Sequence, residues 1–164
     1  MNRANQLKEN FKWNTSLIQK LVDGIEHEES IFQLPFPTNC LNWVLGHILV
    51  GRNKALSLLK GDQFRDDETL ALYKSGSEPI KQDGKARNWD SLIMDLDESQ
   101  KWINKALDDF TEDELQEIAE TDQGSESMYQ LLTGRHWHET YHLGQLNLLR
   151  AFIDTSPLNE PRHL

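Results

Sequence analysis

Apolar residues recur along most of this chain at spacings of three and four, the interval that lines one face of an α-helix. Over residues 4–26, Leu7, Phe11, Ile18, Leu21, Val22 and Ile25 follow that interval with Lys, Asn and Gln between them, which predicts a first helix. Gln33-Leu34-Pro35-Phe36-Pro37 then interrupts the pattern, because two prolines so close cannot lie inside a helix. A second helix is expected over residues 39–60, capped by Thr38 or Asn39 and closed at Gly61. On its wheel Cys40, Trp43, Val44, His47, Gly51 and Leu58 share one face, while Leu41, Leu45, Ile48, Leu49, Leu56 and Leu59 spread over much of the remainder. A helix apolar on most sides is buried on most sides. The pattern therefore places it inside a bundle and leaves surplus apolar surface for a second subunit.

Residues 61–87 are polar, carry Gly61, Gly76, Pro79 and Gly84, and read as a long connection. Asn88 caps a third helix over about residues 89–110, with Leu92, Leu96, Ile103, Leu107 and Phe110 as its apolar positions, joined by Trp89 and Trp102. Thr111-Glu112-Asp113-Glu114 has the form of a capping box and opens one short further turn. Ser127-Met128-Tyr129-Gln130 is a second such pattern and starts a fourth helix over about residues 128–154, after which Pro157 and Pro161 keep the tail irregular. No segment alternates with the period of a strand. The expectation is an all-α fold, a four-helix bundle with a long second crossover, in one domain spanning residues 1–164.

Composition narrows the partners. With glycine counted among the apolar types, 37% rises to about 43%, a little below the globular norm, so the core must come from well-arranged helices. The formal charge of −10 argues against nucleic acid or an anionic membrane as the main partner. No apolar run reaches membrane-spanning length, and Met1-Asn2-Arg3-Ala4-Asn5 does not open a secretory leader. Cys40 is the single cysteine. These features lead us to expect a soluble cytoplasmic protein.

The candidate chemistry sits in His138-Glu139-Thr140-Tyr141-His142-Leu143-Gly144-Gln145. Two histidines four apart share a helix face, close enough to hold one ion at about 2.0–2.1 Å each. Leu131, Gly134, Arg135, Tyr141, His142, Gln145, Leu149 and Phe152 lie within about 60° of His138 on the wheel. Two His, an Arg, a Tyr and a Gln are too many polar groups for a plain core stripe. His47, on the strongly apolar second helix, is the best third ligand. Cys40 precedes it by about 10.5 Å of helix, too far to join the same ion, and reads as a small buried hydrophobe or a lining of the approach. His136 points about 160° away from His138. His27 and His163 receive no role.

His138-Glu139-x-x-His142 also has the form of a zinc-protease helix, with Glu139 as general base, yet no ordered downstream ligand or sheet accompanies it. Asp154 ends the helix and Glu160 lies in the tail. Glu139-x-x-His142 is half of a di-iron motif whose other half is missing from the helices.

The run Asn42-Trp43-Val44-Leu45-Gly46-His47-Ile48, followed by His138-x-x-x-His142-x-Gly144-Gln145, resembles the DinB-like (DinB/YfiT) superfamily over nearly the whole chain. The resemblance implies an up-down-down-up bundle, usually a homodimer, with Ni²⁺ or Zn²⁺ held by His47, His138 and His142. Its members include S-transferases that use a low-molecular-weight thiol, bacillithiol or mycothiol, and a mycothiol-dependent isomerase.

Three neutral imidazoles leave at least one position open on such an ion. Water there falls from a pKa of 15.7 to about 7, and a thiol likewise loses its proton. Hydrolysis and thiol transfer of a small-molecule substrate thus need the same ligands. Arg135 is a candidate to hold a substrate carboxylate, or else a surface ion-pair partner. Tyr141 is a candidate donor to a developing oxyanion, or else a core aromatic. Glu139 is a candidate general base outside the coordination sphere, or else a charge facing solvent or a neighbouring helix. The other class of function is a non-catalytic metal-binding dimer in which the ion only ties helices together.

Overall fold

The computed structural model describes residues 2–80, 85–122 and 124–155. Their order is α1 (Arg3–Val22), α2 (His27–Ser30), α3 (Leu41–Leu58), a 3-10 turn (Ala71–Tyr73), α4 (Trp89–Asp109), α5 (Glu112–Gln116), β1 (Ile118–Thr121), β2 (Gly124–Ser127) and α6 (Met128–Thr155). The four long helices pack as a ring, α1 and α3 each against both α4 and α6. The expected tail at Pro157 and Pro161, with Glu160 and His163, lies outside the described residues, as does Gly84.

Each helix start has a local cause. Asn2 accepts from the Asn5 amide, and Asn88 from the Ser91 amide at 3.1 Å. The Thr111–Glu114 capping box forms and opens α5. The Ser127–Gln130 pair forms in both directions, with the Gln130 amide donating to Ser127 Oγ at 3.2 Å and the Ser127 amide to Gln130 Oε1 at 2.8 Å.

Three expectations are corrected. The first helix stops at Val22, because Gly24 adopts φ 70° and Glu26 caps the separate short α2, which His27 begins. The second helix starts later: Cys40 is its N-cap and no side chain caps it. At its other end the left-handed residue is Lys60 at φ 55°, with the Gly61 amide donating back to the Leu56 carbonyl at 3.0 Å. That is the Schellman closure, shifted one residue from the glycine. Finally, β1 and β2 form an antiparallel hairpin where no strand was expected. Its strands are four residues each and largely exposed, so no buried face imposes an alternation on the sequence.

The surplus apolar surface of α3 is also accounted for within the chain. Residues 41–50 are all buried. The crossover that follows supplies Phe64, Leu70, Tyr73 and Ile80 to the same core. Tyr73 is fully buried, donates to Asn42 Oδ1 at 3.0 Å and accepts from the Arg87 amide at 3.0 Å. Apolar excess on α3 therefore gives no reason for a second subunit, because the polar-looking connection folds back over it.

Gly46 is what lets that crossover approach. A Cβ there would lie 2.2–2.6 Å from Tyr73 ring atoms. Gly46→Ala is expected to lose about 1–3 kcal/mol, the usual range for overpacking, measured as a lower urea midpoint. Gly144→Ala is the control: its Cβ meets nothing within 4 Å, and it should gain up to about 1 kcal/mol from helix propensity.

Candidate metal centre

α3 and α6 bring three imidazoles together. The ligating nitrogens of His47, His138 and His142 all lie within 4.8 Å of one another. His138 Nε2 and His142 Nε2 are 3.1 Å apart. Two nitrogens held tetrahedrally at about 2.0–2.1 Å from one ion would stand about 3.3 Å apart, so the pair is already set for shared coordination.

Neighbouring groups fix which nitrogen is free. His47 Nδ1 lies 2.6 Å from the Tyr73 carbonyl oxygen. A carbonyl only accepts, so Nδ1 carries the proton and Nε2 keeps its lone pair. His142 Nδ1 likewise donates to Gln145 Oε1 at 2.7 Å. Outer partners of this kind orient metal-binding imidazoles and raise their basicity. The crossover supports His47 a second time. The Trp43 indole stacks on its ring at 4.7 Å between centroids and 10° between planes, and Trp43 Nε1 donates to Ser77 Oγ at 3.0 Å.

The imidazoles line a cleft of about 350 Å³ with Asn39, Trp43, Ser75, Trp137, Tyr141 and Gln145. None of these is acidic, although the chain carries 27 Asp and Glu. Burial is the first cause that holds the His47 and His142 rings below their ordinary pKa. For His138, burial and then the charges of His142, His47, Arg135 and Lys54 push the value down to about 4. All three are thus neutral, ligand-ready groups at pH 7.

The other sequence candidates separate. Tyr141 lines the cleft, 57% exposed, with its ring edge-on to His142 at 5.3 Å. Arg135 is not among the lining residues, and among the described residues no carboxylate pairs with it; its charge reaches the site through His138. His136 packs against Phe11 instead of joining the cluster. Cys40 is buried, which pushes its thiol up, and it does not line the cleft.

Glu139 faces neither solvent nor the imidazoles. It is buried in the core, where Arg52 grips both oxygens: Nε to Oε2 at 2.9 Å and Nη2 to Oε1 at 2.8 Å. The remaining Arg52 donors reach the Leu96 carbonyl at 3.1 Å, Ser99 Oγ at 3.0 Å and Thr15 Oγ1 at 2.8 Å. Thr15 passes the chain on to Gln100 Oε1 at 2.7 Å. All the guanidinium protons are used, and α1, α3, α4 and α6 meet on one side chain. Sequence reasoning passed over Arg52. The available signal was a lone cation inside the apolar run Ile48-Leu49-Val50-Gly51-Arg52, which must find a buried acid.

The sequence model of the DinB superfamily matches residues 10–146, a span that contains all three histidines and Arg52. No curated protein matches the chain.

Two outcomes follow from this geometry. Arg52→Met should cost about 3–5 kcal/mol, because it strands Glu139 as a buried charge, while Arg52→Met with Glu139→Leu should recover much of the loss; denaturant unfolding compares them. The imidazoles bind protons more readily in the unfolded chain than in the folded one. Stability of the metal-free protein should therefore fall as the pH drops from 6.5 towards 4, and His138→Gln should flatten that slope.

Proposed function

The chain belongs to the DinB superfamily, and on that premise we propose that it is a metal-dependent transferase that uses a low-molecular-weight thiol. Its divalent ion, zinc or nickel, would be held by His47, His138 and His142 through Nε2. The observation that carries the choice of thiol transfer over hydrolysis is the position of Glu139. A hydrolytic site profits from a free carboxylate beside the nucleophile. Here the one carboxylate next to the ligands in sequence is engaged by Arg52, and among the described residues no acidic side chain lines the cleft. A thiol needs no such base once it is held as its anion.

The ion would supply Lewis acidity that favours the anionic form of a bound thiol. The chain's own residues do the rest. Tyr73 and Gln145 hold the His47 and His142 tautomers so that their lone pairs face inward. Arg135 and Lys54 favour negative charge near His138. Tyr141, which lines the cleft, would donate its hydroxyl proton to charge that develops on the acceptor substrate. The alternative, an ion that only ties helices together, fits less well. Structural zinc sites are closed by four protein ligands. Among the described residues three gather here, beside a cleft open to solvent.

The same reading takes the long helices as an up-down-down-up bundle in one domain. Supporting it, Asn14–Thr140 and Arg150–Leu21 pair α1 with α6 in the same direction. Thr15–Gln100 and Lys8–Asp108 pair α1 with α4 in opposite directions. Arg52–Glu139 and His47–His142 do so for α3 and α6. A homodimer is proposed through exposed Phe36, Leu148 and Phe152 rather than through α3. Among the described residues no helix is long and apolar enough to cross a membrane, and the working location we propose is the cytoplasm.

Alanine at His47, His138 or His142 should remove most bound metal from purified protein, read by elemental analysis, whereas His136→Ala should keep it. Equal loss from the His136 variant would overturn the ligand set. Metal-loaded protein should then accelerate thiol addition to an electrophile, and the metal-free protein should not.

A further inference from the structure

Trp137 and Tyr141 form an exposed aromatic pair beside the histidines. Trp137 is 67% exposed and Tyr141 57% exposed, and they stack on each other at 6.2 Å between centroids and 27° between planes. Single exposed aromatics are ordinary, but two stacked side by side at the mouth of a cleft are not. Both line the same cleft as the three imidazoles. They flank His138 in sequence and fall one helical turn apart, so whatever sits on the histidines lies beside their rings. Trp43, already stacked on His47, lines the same cleft.

The polar inventory of the cleft limits what can enter. Asn39, Ser75 and Gln145 can hydrogen-bond without bearing charge, and among the described residues no carboxylate lines the cleft to attract a cation. Gln145 presents Oε1 to His142, which leaves its amide hydrogens free to donate into the cleft. At about 350 Å³ the space takes a molecule the size of a substituted ring, at the lower end of ordinary ligand pockets.

We propose that Trp137 and Tyr141 form a stacking platform for a flat apolar group of the substrate, so that the site selects a neutral or anionic small molecule in which an aromatic or conjugated group lies within three bonds of the sulfur or other donor that reaches the imidazoles. This inference rests on the metal-centre reading for the position of the donor atom, but the platform itself is a property of Trp137 and Tyr141. The two residues act here by binding and orienting, not by bond-making. Exclusion of water over the reacting atoms follows from a ring laid across the cleft mouth.

The test compares two thiols of equal donor strength and similar size, one flat and one puckered: 2-phenylethanethiol and 2-cyclohexylethanethiol. Cobalt-loaded protein reports sulfur binding through its charge-transfer absorption. Trp137-dependent fluorescence, taken as the difference between wild type and Trp137→Ala, reports the platform with or without metal. The flat thiol should bind about 3- to 10-fold more tightly, the range expected for one added aromatic pair. Trp137→Ala and Tyr141→Ala should each shrink that ratio towards one while leaving cobalt content unchanged. Tyr141→Phe should retain it, because stacking needs the ring and not the hydroxyl. Equal binding of the two thiols by wild type, or a ratio that survives both alanine variants, would overturn the platform. So would a Trp137→Ala variant that turns a dimer into a monomer with the ratio intact, since the rings would then be an interface. Protein that takes up no cobalt, yet still shows the flat-ring preference in Trp137 fluorescence, would overturn the metal reading and support the platform.

Discussion

A guanidinium with no exposed surface sits where the four long helices meet, and the arrangement of everything else follows from satisfying it. Arg52 is 0% exposed. An unpaired charge in that position would be prohibitive, so each of its donors must find an acceptor of fixed position. Glu139 on α6 supplies two, Leu96 and Ser99 on α4 one each, and Thr15 on α1 the last. Apolar packing alone tolerates small slips between helices, since one leucine can replace another against a smooth face. A bidentate pair does not, because a slip of one residue leaves both charges without partners. The pair need not add stability over a well-packed apolar core of the same volume; what it adds is register.

That register is what assembles the three-histidine cluster. Gly51 precedes Arg52, and a Cβ there would stand 3.9 Å from His138 Nδ1, an ordinary van der Waals contact, so His138 sits beside this turn of α3. His138 precedes Glu139 in the same way. The two adjacent contacts, Gly51 with His138 and Arg52 with Glu139, act as neighbouring teeth between α3 and α6. One turn further along, His47 and His142 meet with ring centroids 4.7 Å apart. Residues 137–142 of α6 are thereby divided by function. Glu139 goes to the core, His138 and His142 to the cleft, and Trp137 and Tyr141 to its lip. The crossover completes the site from the far side, where the Tyr73 carbonyl and the Ser77-anchored Trp43 hold His47 in place.

Much of this could be read from the residues, for stated reasons. Helical spacing located all four long helices, since an amphipathic face must repeat. Histidines four apart on a polar patch, with one more on an apolar helix, picked out the cluster that the fold brings together. Two of the failures share one cause, contacts between segments remote in sequence. Glu139 looked like a surface or catalytic acid because its partner is 87 residues away. The connection after α3 looked like a polar loop because its few apolar residues, Phe64, Leu70, Tyr73 and Ile80, lack a period. The hairpin was missed because exposed strands carry no burial pattern. Trp137 drew no notice because a lone tryptophan in a helix ordinarily signals core, and only its exposure shows otherwise.

The distribution of charge adds a constraint that neither fold nor ligand set imposes by itself. The chain bears a formal charge of −10, yet among the described residues no acid lines the cleft, and the one acid adjacent to the histidines in sequence is paired with Arg52. Three neutral imidazoles surrounded by carboxylates would hold a divalent ion more tightly, but they would also repel an anionic thiol and reduce the ion's pull on its proton. On the proposed reading, keeping acids out of the cleft would leave the full positive charge of an ion available to an incoming anion, with the charges of Arg135 and Lys54 acting in the same sense at His138. Distant surface carboxylates are screened beyond about 8–10 Å by salt and oppose this only weakly. The pairing of Glu139 with Arg52 thus has two consequences from one contact. It sets the helix register that gathers the histidines, and it holds in the core the one carboxylate adjacent to them in sequence.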